Sequence, residues 1–248
     1  MKVTKRPPWF DDRPAWERHE VRKHYDPDDE VLRSEFLSSP VPLDEARSRR
    51  QAGEPLEYIL GHCHLADRTI KCDRRALIPR PETENFLHQF VETVSSLPEG
   101  PLVDCGTGTG FLAGELSERT DRGVVATERY PEPLSLAREN RSLHDWKVGL
   151  VRADRLYGLR GPFAGIVANL PYVLPGSDRI SESVREYEPD RALFVPDRVV
   201  TFYREFIRDA RKKLADSGEL WMEGAPPLFE RLRSELSVFS SDRSIILN

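Results

Sequence analysis

The sequence predicts an α/β fold, a doubly wound and mostly parallel sheet of seven strands, preceded by a small helical appendage and a linking β-hairpin. Three observations predict it. From Pro81 onward, short apolar runs alternate with amphipathic helical stretches, the rhythm of strand, crossover helix and parallel strand. The first run, Leu102-Val103-Asp104-Cys105, leads into a glycine loop that opens a helix. A later run, Gly165-Ile166-Val167-Ala168, stops at the polar Asn169, where a parallel sheet delivers side chains to its ligand-binding rim.

Taken in order, residues 1–55 read as the helical appendage. Residues 1–50 carry 11 Lys or Arg and 11 Asp or Glu, and Trp16, Val21, Val31, Leu32, Phe36 and Leu37 are spaced like the apolar faces of helices. Patchy alternation at Tyr58, Leu60, Leu65 and Ile70 predicts the linking hairpin within 56–80. The main domain spans 81–248. Its helices are expected at about 82–96, 110–119, 132–143 and 198–214. Its strands are expected at 102–105, 123–127, 148–151, 165–168 and 219–222. A tight Ser240-Ser241-Asp242-Arg243 turn between Leu236–Phe239 and Ser244–Leu247 predicts a closing hairpin, which brings the strand count to seven.

Composition narrows the function. The 248 residues are 32% charged and 38% apolar with a formal net charge of -5, so no general attraction to phosphate backbones exists and direct nucleic-acid binding is not expected. Three cysteines, Cys63, Cys72 and Cys105, are too few for a disulfide framework. The first residues lack the apolar core of a signal peptide and no stretch is long enough to span a membrane, so a cytoplasmic protein is expected. His62, Cys63, His64 and Cys72 offer four nitrogen or sulfur groups. Strand alternation sends neighbours to opposite faces and no C-x2-C knuckle is present, so no metal is expected. Oligomeric state is left open.

The loop Cys105-Gly106-Thr107-Gly108-Thr109-Gly110 sits where glycines let a ligand approach the backbone and a helix N-terminus. Glu128 ends the second strand about 20 residues further on, where a carboxylate accepts both hydroxyls of a ribose. Loop and acid suit either NAD or S-adenosylmethionine. At the other end of the site, Asn169-Leu170-Pro171-Tyr172 presents the asparagine amide oxygen and the Leu170 carbonyl as two acceptors on a stiff loop. Together they can hold a planar NH2 by both hydrogens, as on an amide or an exocyclic base amine.

Asp104-Cys105-Gly106-Thr107-Gly108-Thr109-Gly110 resembles the D/E-x-G-x-G-x-G signature of the seven-strand methyltransferases, with glycines at spacings of two and two. Further co-linear segments resemble the HemK/PrmC family of glutamine methyltransferases: Gly53 to Gly61, Leu77-Ile78-Pro79-Arg80-Pro81-Glu82-Thr83-Glu84, Ala137-Arg138-Glu139-Asn140, the Asn169 tetrad, Tyr187-Glu188-Pro189 and Ala192-Leu193-Phe194. The resemblance implies methyl transfer from S-adenosylmethionine, leaving S-adenosylhomocysteine, to a glutamine amide nitrogen in the Gly-Gly-Gln loop of a peptide-chain release factor. It implies a cofactor site of Asp104, Gly106, Thr107, Gly108, Thr109, Gly110, Glu128, Asp154, Arg155 and Asn169. It makes Asn169, Leu170, Pro171 and Tyr172 the catalytic loop, with Arg80, Glu82 and Glu188 supporting the pocket. The family's usual tetrad is Asn-Pro-Pro-Tyr, and the leucine at 170 also resembles the rRNA adenine dimethylases. Methylation of an adenine amine therefore stands as an alternative, and an inactive cofactor-binding partner as a second.

Overall fold

Residues 41–174, 180–194, 199–224, 228–230, 232 and 245–247 are described in this computed structural model. The chain forms two compact units, residues 1–52 and residues 53–248. In the first, helix α1 (Leu43–Gln51) has Asp44 and Glu45 in its first turn and Arg49 and Arg50 in its last, the charge order that complements a helix dipole. The helices expected around Trp16 to Leu37 lie outside the described residues.

The second unit opens with a correction. Tyr58 and Leu60 belong to a short helix, α2 (Leu56–Leu60), instead of an alternating strand. Pro55 precedes its first turn, Gly61 ends it in the left-handed region, and the helix buries the adjacent Tyr58 and Ile59 together. A strand would send those two side chains to opposite faces. The hairpin follows as β1 (His62–Leu65) and β2 (Arg68–Lys71), antiparallel, with Ala66 and Asp67 both at positive φ in the two-residue turn.

The main sheet contains β3 (Leu102–Cys105), β4 (Val124–Glu128), β5 (Val148–Arg152), β6 (Phe163–Ala168), β7 (Leu214–Met222) and β8 (Ile245–Leu247), in the spatial order β5-β4-β3-β6-β7-β8. Every neighbouring pair is parallel. Of the expected closing hairpin, residues 236–239 lie outside the described residues, and β8 runs parallel to β7. Six strands of the sheet are therefore seen among the described residues.

Helices cover both faces, as buried parallel strands require. On one face α3 (Pro81–Thr93) and α4 (Phe111–Arg119) bury Phe86, Leu87, Phe90, Leu112 and Leu116 in a core shared with Ile70 and Cys72 of the hairpin region. On the other, α8 (Val199–Lys213) buries Tyr203, Phe206, Ile207 and Ala210 against Val103, Ile166, Ala168 and Leu220. Helix α5 (Pro131–His144) links β4 to β5, and the short helices α6 (Glu182–Tyr187) and α7 (Asp190–Leu193) follow the β6 loop.

Strand order reverses between β3 and β6, whose registers pair Cys105 with Ala168. The next residues are Gly106 and Asn169. The topology thus sets the glycine loop beside the tetrad at the switch point, the crevice where open α/β sheets bind ligands.

Candidate active site

A cavity of about 240 Å³ opens at this point, lined by the glycine loop, Glu128, Asp154, Arg155, Asn169, Leu170 and Pro171. Arg80 and Thr83 from the start of α3, Ala192 and Phe194 from the α7 segment, and Phe202 from α8 complete much of its wall.

The loop is shaped by its glycines. Gly106 has φ +80°, and a Cβ there would lie 2.8 Å from Leu170 Cδ2, so the glycine loop and the tetrad are in contact through a missing side chain. Gly110 packs on Ala137, where a Cβ would stand 3.2 Å from the alanine Cβ. Gly108, at φ +55°, has open space above it. The backbone N–H groups of Gly106 and Thr107 both donate to the Thr127 carbonyl, at 2.9 and 3.0 Å. Asn140, fully buried, ties the loop to the hairpin: its Nδ2 donates to the Thr109 and Lys71 carbonyls, and its Oδ1 accepts from Lys71 N–H.

Asp104 stands behind the loop, 1% exposed, and does not line the cavity. Its Oδ2 accepts from the Thr107 hydroxyl at 2.6 Å and Ala113 N–H at 3.2 Å, while Oδ1 is buried with no partner. Burial pushes its pKa up to about 7 against the pull of those two donors. Glu128 lines the cavity, and its carboxylate accepts from Gly108 N–H at 3.2 Å and Tyr130 N–H at 3.0 Å. Burial raises its pKa, and those backbone donors oppose the rise. Next along the wall, Asp154 pairs with Arg155 at 3.6 Å. The Arg155 guanidinium sits 4.9 Å from the centre of the Phe202 ring and donates to the Phe202 carbonyl at 3.2 Å.

At the tetrad, Asn169 Nδ2 donates to Thr83 Oγ1 at 3.1 Å. Glu223, which follows β7, lies beside Thr83 and Asn169; burial raises its pKa, those two polar neighbours lower it, and its Oε2 is buried with no hydrogen-bond partner. The Thr83 hydroxyl thus occupies the amide's nitrogen side and leaves Oδ1 able to accept. The Leu170 carbonyl accepts from the Tyr203 hydroxyl at 3.2 Å, and that hydroxyl also lies 3.0 Å from the Pro171 carbonyl. Val173 N–H donates to the Leu193 carbonyl, pinning the far end of the tetrad to α7. Tyr172 is half-buried on the α8 side of the sheet and does not line the cavity.

Of the residues named as pocket support, Arg80 pairs with Glu188, whose side chain is fully buried and whose other oxygen accepts from Ile78 N–H at 3.1 Å. Burial raises the Glu188 pKa and Arg80 pulls it back. Glu82 is exposed on the first turn of α3 and lies off the cavity wall. Four residues escaped sequence reading: Thr83, Phe202, Tyr203 and Glu223. Thr83 sat inside a motif already quoted, and only its contact reveals its part. Cys63 and Cys72 are buried, and the interaction of the Cys72 thiol with Cys63 together with burial pushes its pKa up. Among the described residues no three His, Cys, Asp or Glu side chains are grouped as metal ligands. No helix among them is long and apolar enough to cross a membrane.

Sheet order, glycine loop, acidic strand end and the Asn169 loop at one switch point define a Rossmann-like α/β methyltransferase. The fold is shared with the hMettl16 catalytic domain, solved in complex with the MAT2A 3'UTR hairpin 6, at TM-score 0.54 and 14% identity over 81% of this chain and 85% of that one. No family model matches the chain. It is, however, 38% identical over 204 residues to the release factor glutamine methyltransferase of Deinococcus radiodurans, covering 78% of this chain and 73% of that protein. The protein of the same name from Streptococcus pneumoniae is 30% identical over 221 residues, covering 83% and 79%. The chain belongs to the release factor glutamine methyltransferase family.

Proposed function

We propose that this protein methylates the side-chain amide nitrogen of a glutamine in a peptide-chain release factor, using S-adenosylmethionine. The observation that carries the reading is the orientation of Asn169, whose nitrogen is engaged by Thr83 and whose oxygen is left to accept. Family membership supplies the substrate class.

The cavity residues fit the cofactor. Glu128 presents a carboxylate for ribose hydroxyls, and Gly108 leaves its approach open. Asp104, off the cavity wall, braces the loop from behind through the Thr107 hydroxyl and Ala113 N–H. Asp154, Arg155 and Phe202 form a polar and aromatic wall suited to a purine. When bound, S-adenosylmethionine supplies an electrophilic methyl carbon and departs as a neutral thioether.

The protein's own task is set by the weakness of the nucleophile. An amide nitrogen has its lone pair delocalised into the carbonyl, the effect that flattens a peptide bond. Asn169 Oδ1 and the Leu170 carbonyl accept its two N–H bonds, which turns the lone pair toward the methyl carbon. As the nitrogen bonds to that carbon it gains positive charge, and afterwards it releases one N–H proton to solvent water. The two acceptors stabilise this developing charge, so their contribution grows toward the transition state.

The test is mass spectrometry of a release factor incubated with the protein and S-adenosylmethionine. A gain of one methyl group on the Gly-Gly-Gln glutamine is expected. Asn169→Ala lowers that rate by roughly 100-fold or more, as loss of an oxyanion-hole donor does in other enzymes. Label found on adenine of a structured RNA, with none on the glutamine, would sink the proposal.

A further inference from the structure

Tyr203 lies 33 residues from Leu170 in sequence, yet its hydroxyl reaches both the Leu170 and Pro171 carbonyls, at 3.2 and 3.0 Å. The residue is 1% exposed, and burial pushes its pKa up, so the hydroxyl remains a neutral donor. Its ring is fixed in the α8 core and packs edge-on to Phe202, with ring centres 5.3 Å apart. Nothing about a helix core calls for a hydroxyl here. Phenylalanine would fill the same space.

The loop explains the need. The peptide plane carrying the Leu170 carbonyl is set by ψ of Leu170 and φ of Pro171. The proline ring fixes the second and its Cδ restricts the first. Two torsions are left loose, ψ of Asn169 and φ of Leu170, and they swing the Leu170 carbonyl relative to the Asn169 side chain. A hydroxyl anchored in the helix core and bonded to both following carbonyls removes that freedom. A carbonyl has two lone pairs, so the one not used by Tyr203 stays available.

We propose that Tyr203 is a positioning residue for methyl transfer: its hydroxyl holds the Leu170-Pro171 carbonyl pair and so aims the free Leu170 lone pair at the substrate NH2. It supplies the constraint that a proline at 170 would impose through its ring. This rests on the glutamine-methyltransferase reading.

The experiment compares Tyr203→Phe in two backgrounds, wild type and Leu170→Pro, using the full chain, a release factor and S-adenosylmethionine. In the wild-type background kcat falls roughly tenfold, equivalent to about 1.4 kcal/mol. Cofactor Kd by calorimetry is unchanged. In the Leu170→Pro background, where the ring already restrains both torsions, the same substitution leaves kcat nearly unaltered. An equal loss in both backgrounds overturns the proposal, as does an unchanged kcat in the first. Should Leu170→Pro melt below the assay temperature, the first comparison decides: a loss confined to kcat supports positioning, and a loss shared with cofactor Kd overturns it. Wild-type protein that methylates no release factor overturns the functional reading and this inference together. Active wild type with equally active Tyr203→Phe overturns the inference alone.

Discussion

The Thr83 hydroxyl oxygen stands 3.1 Å from Asn169 Nδ2, so a residue at the start of α3 decides which end of the Asn169 amide faces the cavity. The hydroxyl accepts from the asparagine, and the buried Glu223 carboxyl lies beside both side chains. A flipped amide would set its oxygen against a carboxylate.

Replacing Thr83 with valine keeps the shape and removes the hydroxyl that holds the Asn169 amide. Methyl transfer to the glutamine is expected to slow roughly tenfold, the scale of one lost hydrogen bond between buried groups. Thr83→Ser recovers most of the rate. Steady-state kinetics with a release factor, alongside calorimetric cofactor Kd, checks this; a fall in cofactor affinity as large as the fall in rate would contradict it.

Glu128 joins the cavity wall to the glycine loop, since the carboxylate that faces the cavity also accepts from Gly108 and Tyr130. Glu128→Ala is expected to weaken S-adenosylmethionine binding by about tenfold or more, from hydrogen bonds to a charged group worth roughly 1.5–3 kcal/mol each. Isothermal titration reads the effect directly. Unchanged affinity would remove Glu128 from the cofactor site.

Asp104 makes the cofactor-free protein sensitive to pH. Its carboxyl is raised by burial from the ordinary 3.8 to about 7, so the folded state holds a proton that the unfolded state releases. That group's stabilisation is complete below about pH 4 and is lost as pH rises through about 7. Asp104→Asn cannot titrate and still offers one oxygen to Thr107 and Ala113. Melting temperatures of wild type relative to this variant should therefore decline between pH 4 and 7.5 without cofactor. A flat difference across that range would rule out the buried proton.

Arg80 and Glu188 join the start of α3 to the segment after α6, and only the glutamate is fully buried. Arg80→Ala leaves that carboxylate with Ile78 N–H as its remaining hydrogen-bond donor and is expected to cost roughly 3 kcal/mol, the lower end for breaking a buried pair because the arginine is partly exposed. The deficit should shrink in acid, where Glu188 is protonated and no charge is stranded. Chemical denaturation at pH 4.5 and pH 7.5 measures both halves.

Much of the framework was legible in sequence because its signals are local. Apolar runs mark β3, β4 and β6, glycines at φ above zero mark the loop, and a polar residue ending a buried strand marks Asn169. Leu56–Leu60 was misread because five residues carry too little periodicity to separate a helix from a strand. The other arm of the expected closing hairpin, 236–239, lies outside the described residues, and the parallel pairing of β8 with β7 depends on a partner distant in the chain.

The sequence by itself determined the fold class, the two loops that meet at the switch point and the side chain proposed as the acceptor. Tertiary structure alone decided how that acceptor is aimed. Thr83 lies 86 residues from Asn169 and Tyr203 lies 33 from Leu170, on helices packed against opposite faces of the sheet. A hydroxyl's role depends on which polar group it meets once buried, and that meeting is set by how the two helices pack on the sheet, which no local pattern records.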